Sequence, residues 1–166
     1  MVLNSRAALA LTNMNTSPPR LTLRLVPQTK SLQLAEMVTS YLEELAVPPD
    51  YPYLPLYWEE DGRYPYFICL DEHIAGFALV RNSDSAGFEA AEFCVLKKFR
   101  RKNIGRQAFA KLTEIHPGKW SVRSFPNNKQ AADFWSTVAR DYAKFALEIT
   151  SDRAKFGFSF DSRVGV

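Results

Sequence analysis

The sequence predicts a single mixed α/β domain, and three observations carry that reading. The chain has 166 residues, about the length of one domain. Its residues are 46% hydrophobic and 23% charged, close to the globular average, which excludes a disordered chain, a coiled-coil rod and a collagen-like polymer. Runs of period-two alternation are interspersed with runs of three- and four-residue spacing, the signatures of strands and amphipathic helices. A chain this long buries a real core without disulfides or metal.

Residues 1–19 are rich in Ala, Asn, Ser and Thr and end in Pro18-Pro19. Their apolar stretch, Ala7 to Leu11, is short, and Arg6 is the one basic residue before Pro18. Signal and transit peptides need more of both, so a flexible leader is expected, followed by one domain over 20–166. Leu21, Leu23 and Leu25 alternate with Thr22 and Arg24 and predict a strand ended by Pro27. Leu34, Met37, Val38, Tyr41, Leu42 and Leu45 share one helical face, stopped by Pro48-Pro49.

Between 50 and 65, tyrosines and Trp58 alternate with prolines and are followed by Glu59, Glu60 and Asp61, which predicts a loop or a broken helical segment. Tyr66 to Leu70 and Ile74 to Val80 predict strands joined at Asp71-Glu72-His73, and Phe88 to Leu96 a third. Ile104, Ala108, Leu112 and Ile115 mark a helix stopped by His116-Pro117-Gly118. A strand follows at Trp120 to Phe125. Asn128 is the expected N-cap of a last helix carrying Ala131, Phe134, Trp135, Val138 and Tyr142. Phe145 to Ile149 and Phe156 to Phe160 predict two closing strands.

Charge and rare residues narrow the function. A net charge of +3 is too small for a dedicated nucleic-acid binder. No apolar run approaches the roughly 18 residues of a membrane span. Cys69 and Cys94 sit in apolar runs and are expected to be reduced core residues. With His73 and His116 as the two histidines, no metal centre is expected. The composition fits a soluble cytoplasmic protein.

The charge is unevenly placed. The stretch Lys97 to Lys111 holds seven positive residues and no negative one. It contains Phe99-Arg100-Arg101-Lys102-Asn103-Ile104-Gly105-Arg106, between a predicted strand and a predicted helix. Backbone N–H groups of such a turn, together with the helix N-terminus, suit a phosphate or pyrophosphate. Gly105 would let the backbone approach a ligand closely. The pattern is neither a Walker A loop nor a dinucleotide fingerprint. A solvated basic face is the plain alternative.

Arg100-x-x-Asn103-x-Gly105, after an apolar strand ending in Val95, resembles the acyl-CoA-binding motif of the Gcn5-related N-acetyltransferase (GNAT) superfamily, Arg/Gln-x-x-Gly-x-Gly/Ala. Asn128-x-x-Ala131-x-x-Phe134-Trp135 resembles the family's Asn-x-x-Ala-x-x-Phe-Tyr. The similarity extends from about Leu21 to Phe160. It implies a GNAT-like α/β (α+β) fold, a mixed and mostly antiparallel sheet of six to seven strands with about four helices. Asn103 departs from the first Gly, and Asn is the non-glycine residue best suited to positive φ. Trp135 departs from a Tyr that protonates the leaving thiolate in many members. Tyr142, the substitute on the same face, reads better as core.

The resemblance implies acetyl transfer from acetyl-CoA to a primary amine by direct attack, with no metal. It places Cys94, Val95, Leu96, Arg100, Arg101, Lys102, Asn103, Ile104, Gly105, Arg106, Asn128 and Trp135 around acetyl-CoA, with a β-bulge near Cys94 to Leu96 turning an N–H to the thioester. Glu92 and Glu89 are the candidate bases, Glu92 preferred. They lie three apart and would face opposite sides of an unbroken strand. The Tyr51 to Asp61 segment, with its three carboxylates, suggests a cationic small-molecule acceptor. The expected partners are acetyl-CoA and an amine, with a homodimer open and neither nucleic acid nor membrane. A weakly catalytic acyl-CoA sensor or partner module of the same fold is the alternative reading.

Overall fold

In chain order the elements are β1 (Leu21–Leu25), α1 (Ser31–Glu44), α2 (Leu56–Glu59), β2 (Arg63–Leu70), β3 (His73–Ser83), β4 (Gly87–Val95), α3 (Ile104–Ile115), β5 (Lys119–Arg123), α4 (Lys129–Ala139), β6 (Glu148–Ser151) and β7 (Phe156–Asp161). They come from a computed structural model that describes residues 17–125, 127–145, 147–151 and 156–164. The expected leader lies outside the described residues up to residue 16. The strands form one sheet in the order β1-β2-β3-β4-β5-β7-β6. Every neighbouring pair is antiparallel except β4 and β5. That pair is parallel because α3 carries the chain back across the sheet.

The element order is the expected one, with shifted boundaries. β2 starts at Arg63 and runs through Pro65. The Pro65 carbonyl accepts from Val26 N at 2.9 Å, so the missing N–H faces the end of β1 and costs no bond to β3. α4 stops at Ala139 and Tyr142 sits in a following 3₁₀ turn. β6 begins at Glu148 rather than Phe145, because Phe145 instead packs on Tyr142 and Phe160.

The sheet is covered on both faces. Leu34, Val38 and Leu42 of α1 pack on Phe67, Phe77, Leu79 and Cys94. On the other face Phe109 and Leu112 of α3 and Trp135 and Val138 of α4 pack on Trp120, Val122 and Phe158. Both cysteines are buried and unpaired.

Phe109 is the centre of the second layer, within 6.5 Å centroid distance of the rings of Phe93, Trp120, Trp135, Tyr142 and Phe158. Phe109→Ala should cost about 3–5 kcal/mol, read as a lower urea midpoint at unchanged slope.

Candidate active site

β4 and β5 pair only at Phe88 opposite Trp120 and Glu89 opposite Ser121. Past that point they diverge. The cause lies in β4, where Leu79 of β3 faces Glu92 and Val80 faces Ala90, leaving Ala91 as the extra residue of a β-bulge. A bulge bends its strand, and here it opens a cleft of about 400 Å³ between the two strands. The bulge therefore lies three residues upstream of the expected Cys94 to Leu96, which pair regularly with β3 or its flank. Leu96 N–H bonds Ala75 O at 2.8 Å, so it is unavailable to a ligand. Strand alternation then turns the N–H groups of Phe93 and Val95 toward the open side.

The bulge also changes where the two glutamates point. Phe88 and Ala90 belong to the α3/α4 layer, as do Phe93 and Val95 beyond the bulge. Glu89 and Glu92 are thus both on the α1 face, not on opposite faces. Their states differ. Burial would raise the Glu89 carboxyl, but Arg123 and Arg81 outweigh it and hold the group below the usual carboxylate range. Arg123 Nη2 donates to Glu89 Oε1 at 2.9 Å, and Arg81 donates to Oε2. Glu92 lines the cleft, is 7% exposed, and its Oε2 has no partner. Burial pushes its carboxyl up to about 7, the adjacent Tyr41 phenol favours the charged form, and Glu89 adds a smaller upward push.

At the other end of the cleft is the basic turn. Arg101 and Asn103 both adopt left-handed φ, 61° and 60°. Asn103 precedes α3 without capping it through its side chain. Gln107 N is the first amide bonded back, to Asn103 O, so the N–H groups of Ile104, Gly105 and Arg106 lack intrahelical acceptors and sit at the positive end of the helix. The long side chains divide by role. Arg100 is bound to Glu44 through Nη1 and Nη2 at 2.6 and 3.0 Å and to Val95 O through Nε at 2.7 Å. Arg106 is paired with Asp141. Arg101 and Lys102 are exposed and have no carboxylate partner among the described residues. Arg101 lines the cleft; Lys102 does not. A Cβ on Gly105 would meet the Phe134 ring at 3.0 Å and Val95 Cγ2 at 3.4 Å. That glycine allows α3 to dock against α4.

α4 closes the cleft from the far side. Asn128 Oδ1 accepts from Ala131 N at 3.0 Å, the expected cap. Trp135 lines the cleft yet is 5% exposed, held among Phe93, Phe109, Phe134 and Phe158. Tyr142 is buried core, its hydroxyl 3.2 Å from Thr113 Oγ1, and lies outside the cleft.

The family model described as "Acetyltransferase (GNAT) family" matches residues 32–138. The chain belongs to the GNAT acetyltransferase family. No curated protein matches it. An acetyltransferase from Thermus thermophilus superposes with TM-score 0.67 at 12% identity, over 85% of this chain and 96% of that one. Spermidine N-acetyltransferase from Vibrio cholerae, solved with CoA and spermine, gives 0.65 at 8% identity, over 86% and 96%. An acetyltransferase from Bacillus subtilis in complex with CoA gives 0.60 at 13% identity, over 86% and 99%. At such identities these likenesses establish the fold: a GNAT α+β domain with a seven-stranded mixed sheet.

This GNAT domain has an aromatic chamber beside Glu92 that sequence spacing did not isolate. Tyr41 of α1, Tyr51 before α2 and Tyr57 within α2 come together around it. Burial raises all three phenols, Tyr57 to about 12, and each is further affected by the Glu92 charge. Tyr57 Oη is buried without a partner. The carboxylates Glu59, Glu60 and Asp61 are instead exposed, and Glu60 is paired with Arg63 at 2.7 Å. None lines the cleft, because α2 turns the chain's acidic stretch outward; the carboxylate beside the tyrosines is Glu92. Among the described residues no helix is long and apolar enough to cross a membrane, and no three His, Cys, Asp or Glu residues cluster as metal ligands.

Two stability experiments follow from this geometry. Asn103→Gly should stay within about 1 kcal/mol of the parent, and Asn103→Val should lose about 1–2 kcal/mol, since a β-branched residue resists left-handed φ; thermal unfolding distinguishes them. Glu92 is harder to ionise folded than unfolded. Between its ordinary value of 4.5 and about 7 the unfolded chain therefore binds fewer protons, and stability falls as pH rises through that window. Glu92→Gln should then stabilise the fold by about 3 kcal/mol at pH 8, with most of the gain gone near pH 5, in parallel denaturant titrations.

Proposed function

We propose that the chain transfers the acetyl group of acetyl-CoA to the primary amine of a small molecule, by direct attack in a ternary complex. The observation that carries this is one continuous cleft joining an anion-cradling turn to a buried carboxylate with a free oxygen. The residues fit the substrate. The N–H groups of Ile104, Gly105 and Arg106 would hold the pyrophosphate, with Arg101 adding charge. The open edge of β4 at Val95 would pair with the amide-bearing arm, and Asn128 and Trp135 would flank it from α4. Cys94, on the α1 face, and Leu96 contribute packing more than contacts.

Phe93 N–H, just past the bulge, is the donor for the thioester oxygen as it gains charge. Glu92 takes the proton from the acceptor ammonium, because only the neutral amine attacks. The nitrogen–carbon bond forms, the carbon–sulfur bond breaks, CoA leaves as thiolate, and the second nitrogen proton passes through solvent to that thiolate. A thiol with pKa near 8.5 leaves without a strong acid, which is consistent with Trp135 where many relatives carry Tyr. Glu89, already neutralised by two arginines, serves charge balance rather than proton transfer. Trp135 also favours the second reading, a domain that binds acyl-CoA with little turnover.

Calorimetric titration with CoA and thiol release with an amine panel separate these readings. CoA binding together with turnover supports the transferase, and CoA binding without turnover supports the sensor. Absence of CoA binding at high micromolar concentration overturns both. For the transferase, kcat/KM should rise with pH through an apparent pKa near 7. Glu92→Gln should lower kcat by about 100-fold, erase that limb and keep CoA affinity. An unchanged rate would remove Glu92 from the mechanism.

A further inference from the structure

The α1 face of the sheet beside Glu92 carries a row of arginines. Arg63 of β2 lies opposite Arg81 of β3, and Arg81 opposite Glu89 of β4. Arg123 of β5 reaches the same carboxylate from the other side and lines the cleft. Both Glu89 oxygens are thereby occupied, one by each of Arg81 and Arg123. Each of these guanidinium groups uses only Nη2 on Glu89, and their remaining donors meet no protein acceptor among the described residues. Two positive charges share one negative charge, so the group keeps a net positive charge. Arg123 is 70% exposed along its side chain and lines the cleft.

Building on the transferase reading above, we propose that the acceptor is an amino acid or close analogue, whose carboxylate docks on Arg123 while its amine lies at Glu92. A guanidinium fork matches a carboxylate in shape and charge. The spacing also fits. Glu89 and Glu92 are three residues apart across a bulge, so their side chains stand roughly 7–10 Å apart on one face. An amine and a carboxylate on one carbon, with a hydrogen bond at each end, span roughly 8 Å. Glu92 Oε2, buried, unpartnered and in the cleft lining, supplies the polar contact at the amine end. Tyr41, which also lines the cleft, provides an aromatic face for a side chain.

The test pairs amino acids with their decarboxylated forms: phenylalanine with phenethylamine, tyrosine with tyramine, lysine with cadaverine, and spermidine as a polycation. Each is measured twice, as CoA thiol release and as calorimetric binding to the CoA-loaded protein. Amino acids should exceed their decarboxylated partners at least 10-fold in both, and Arg123→Gln should shrink that ratio below threefold. Equal or better binding of the amines lacking a carboxylate overturns the proposal, as does a full preference surviving in Arg123→Gln. A carboxylate preference in binding without thiol release from any amine overturns the transfer reading and leaves the carboxylate-docking site on Arg123 standing. Thiol release without the preference does the reverse.

Discussion

The site depends on one constraint: a parallel strand pair that holds for two residues and then fails. Trp120, 1% exposed and stacked on Phe88 at 5.3 Å, anchors β5 to β4 where they still pair. The extra residue Ala91 then bends β4 away. That single insertion opens the cleft, frees the N–H groups of Phe93 and Val95, and rotates Glu92 onto the face where α1, α2 and the segment before α2 deliver three tyrosines. Removing the bulge would close the ladder and move every later side chain of β4 to the other face.

The cleft is kept open by cross-links far apart in sequence. Arg100 fastens the basic turn to the end of α1 through Glu44 and to β4 through Val95 O. Arg106 fastens the first turn of α3 to Asp141 beyond α4. These pairs are partly exposed, and their individual energies are modest. Their effect is positional: they fix where the free helix N-terminus points. The cost of the site appears as two left-handed non-glycine residues and one buried carboxyl raised to about 7. Such strain and desolvation persist only where surrounding structure enforces them.

Most of the fold is legible in the sequence because its signals are local. Strand alternation, proline stops and the Asn128 cap place every major element, and Asn103 adopts the left-handed conformation its side chain permits. Boundaries slip where tertiary packing overrides local pattern, as at Pro65, whose missing donor faces the end of β1. The site is half legible. The turn from Arg100 to Arg106 is contiguous in sequence and reads as a unit. Yet Arg100 and Arg106 are braces, because their partners Glu44 and Asp141 lie 56 and 35 residues away, beyond any spacing rule. Strict alternation puts Glu89 and Glu92 on opposite faces, and the bulge at Ala91 that overrides it leaves no mark among apolar and small neighbours. Tyr41 is visible only as one apolar position of α1, and Arg123 as one charge at a strand end.

The placement of Trp135 then makes physical sense. A phenol at the cleft wall would bring an ionisable hydroxyl, where an indole brings only a weakly acidic N–H. The indole instead joins Phe93, Phe109 and Phe134 in a continuous aromatic wall, behind the β4 edge that carries Phe93 N–H. A drier wall lowers the local dielectric, which strengthens a backbone N–H acting on a developing oxyanion. Glu92 is raised separately, by its own burial beside Tyr41 on the opposite, α1 face of β4. In the proposed mechanism the loss of an acid on α4 and the gain of a stronger base on β4 therefore come from two different walls of one cleft. That proposed chemistry leans on removal of the amine proton more than on protonation of the departing thiolate.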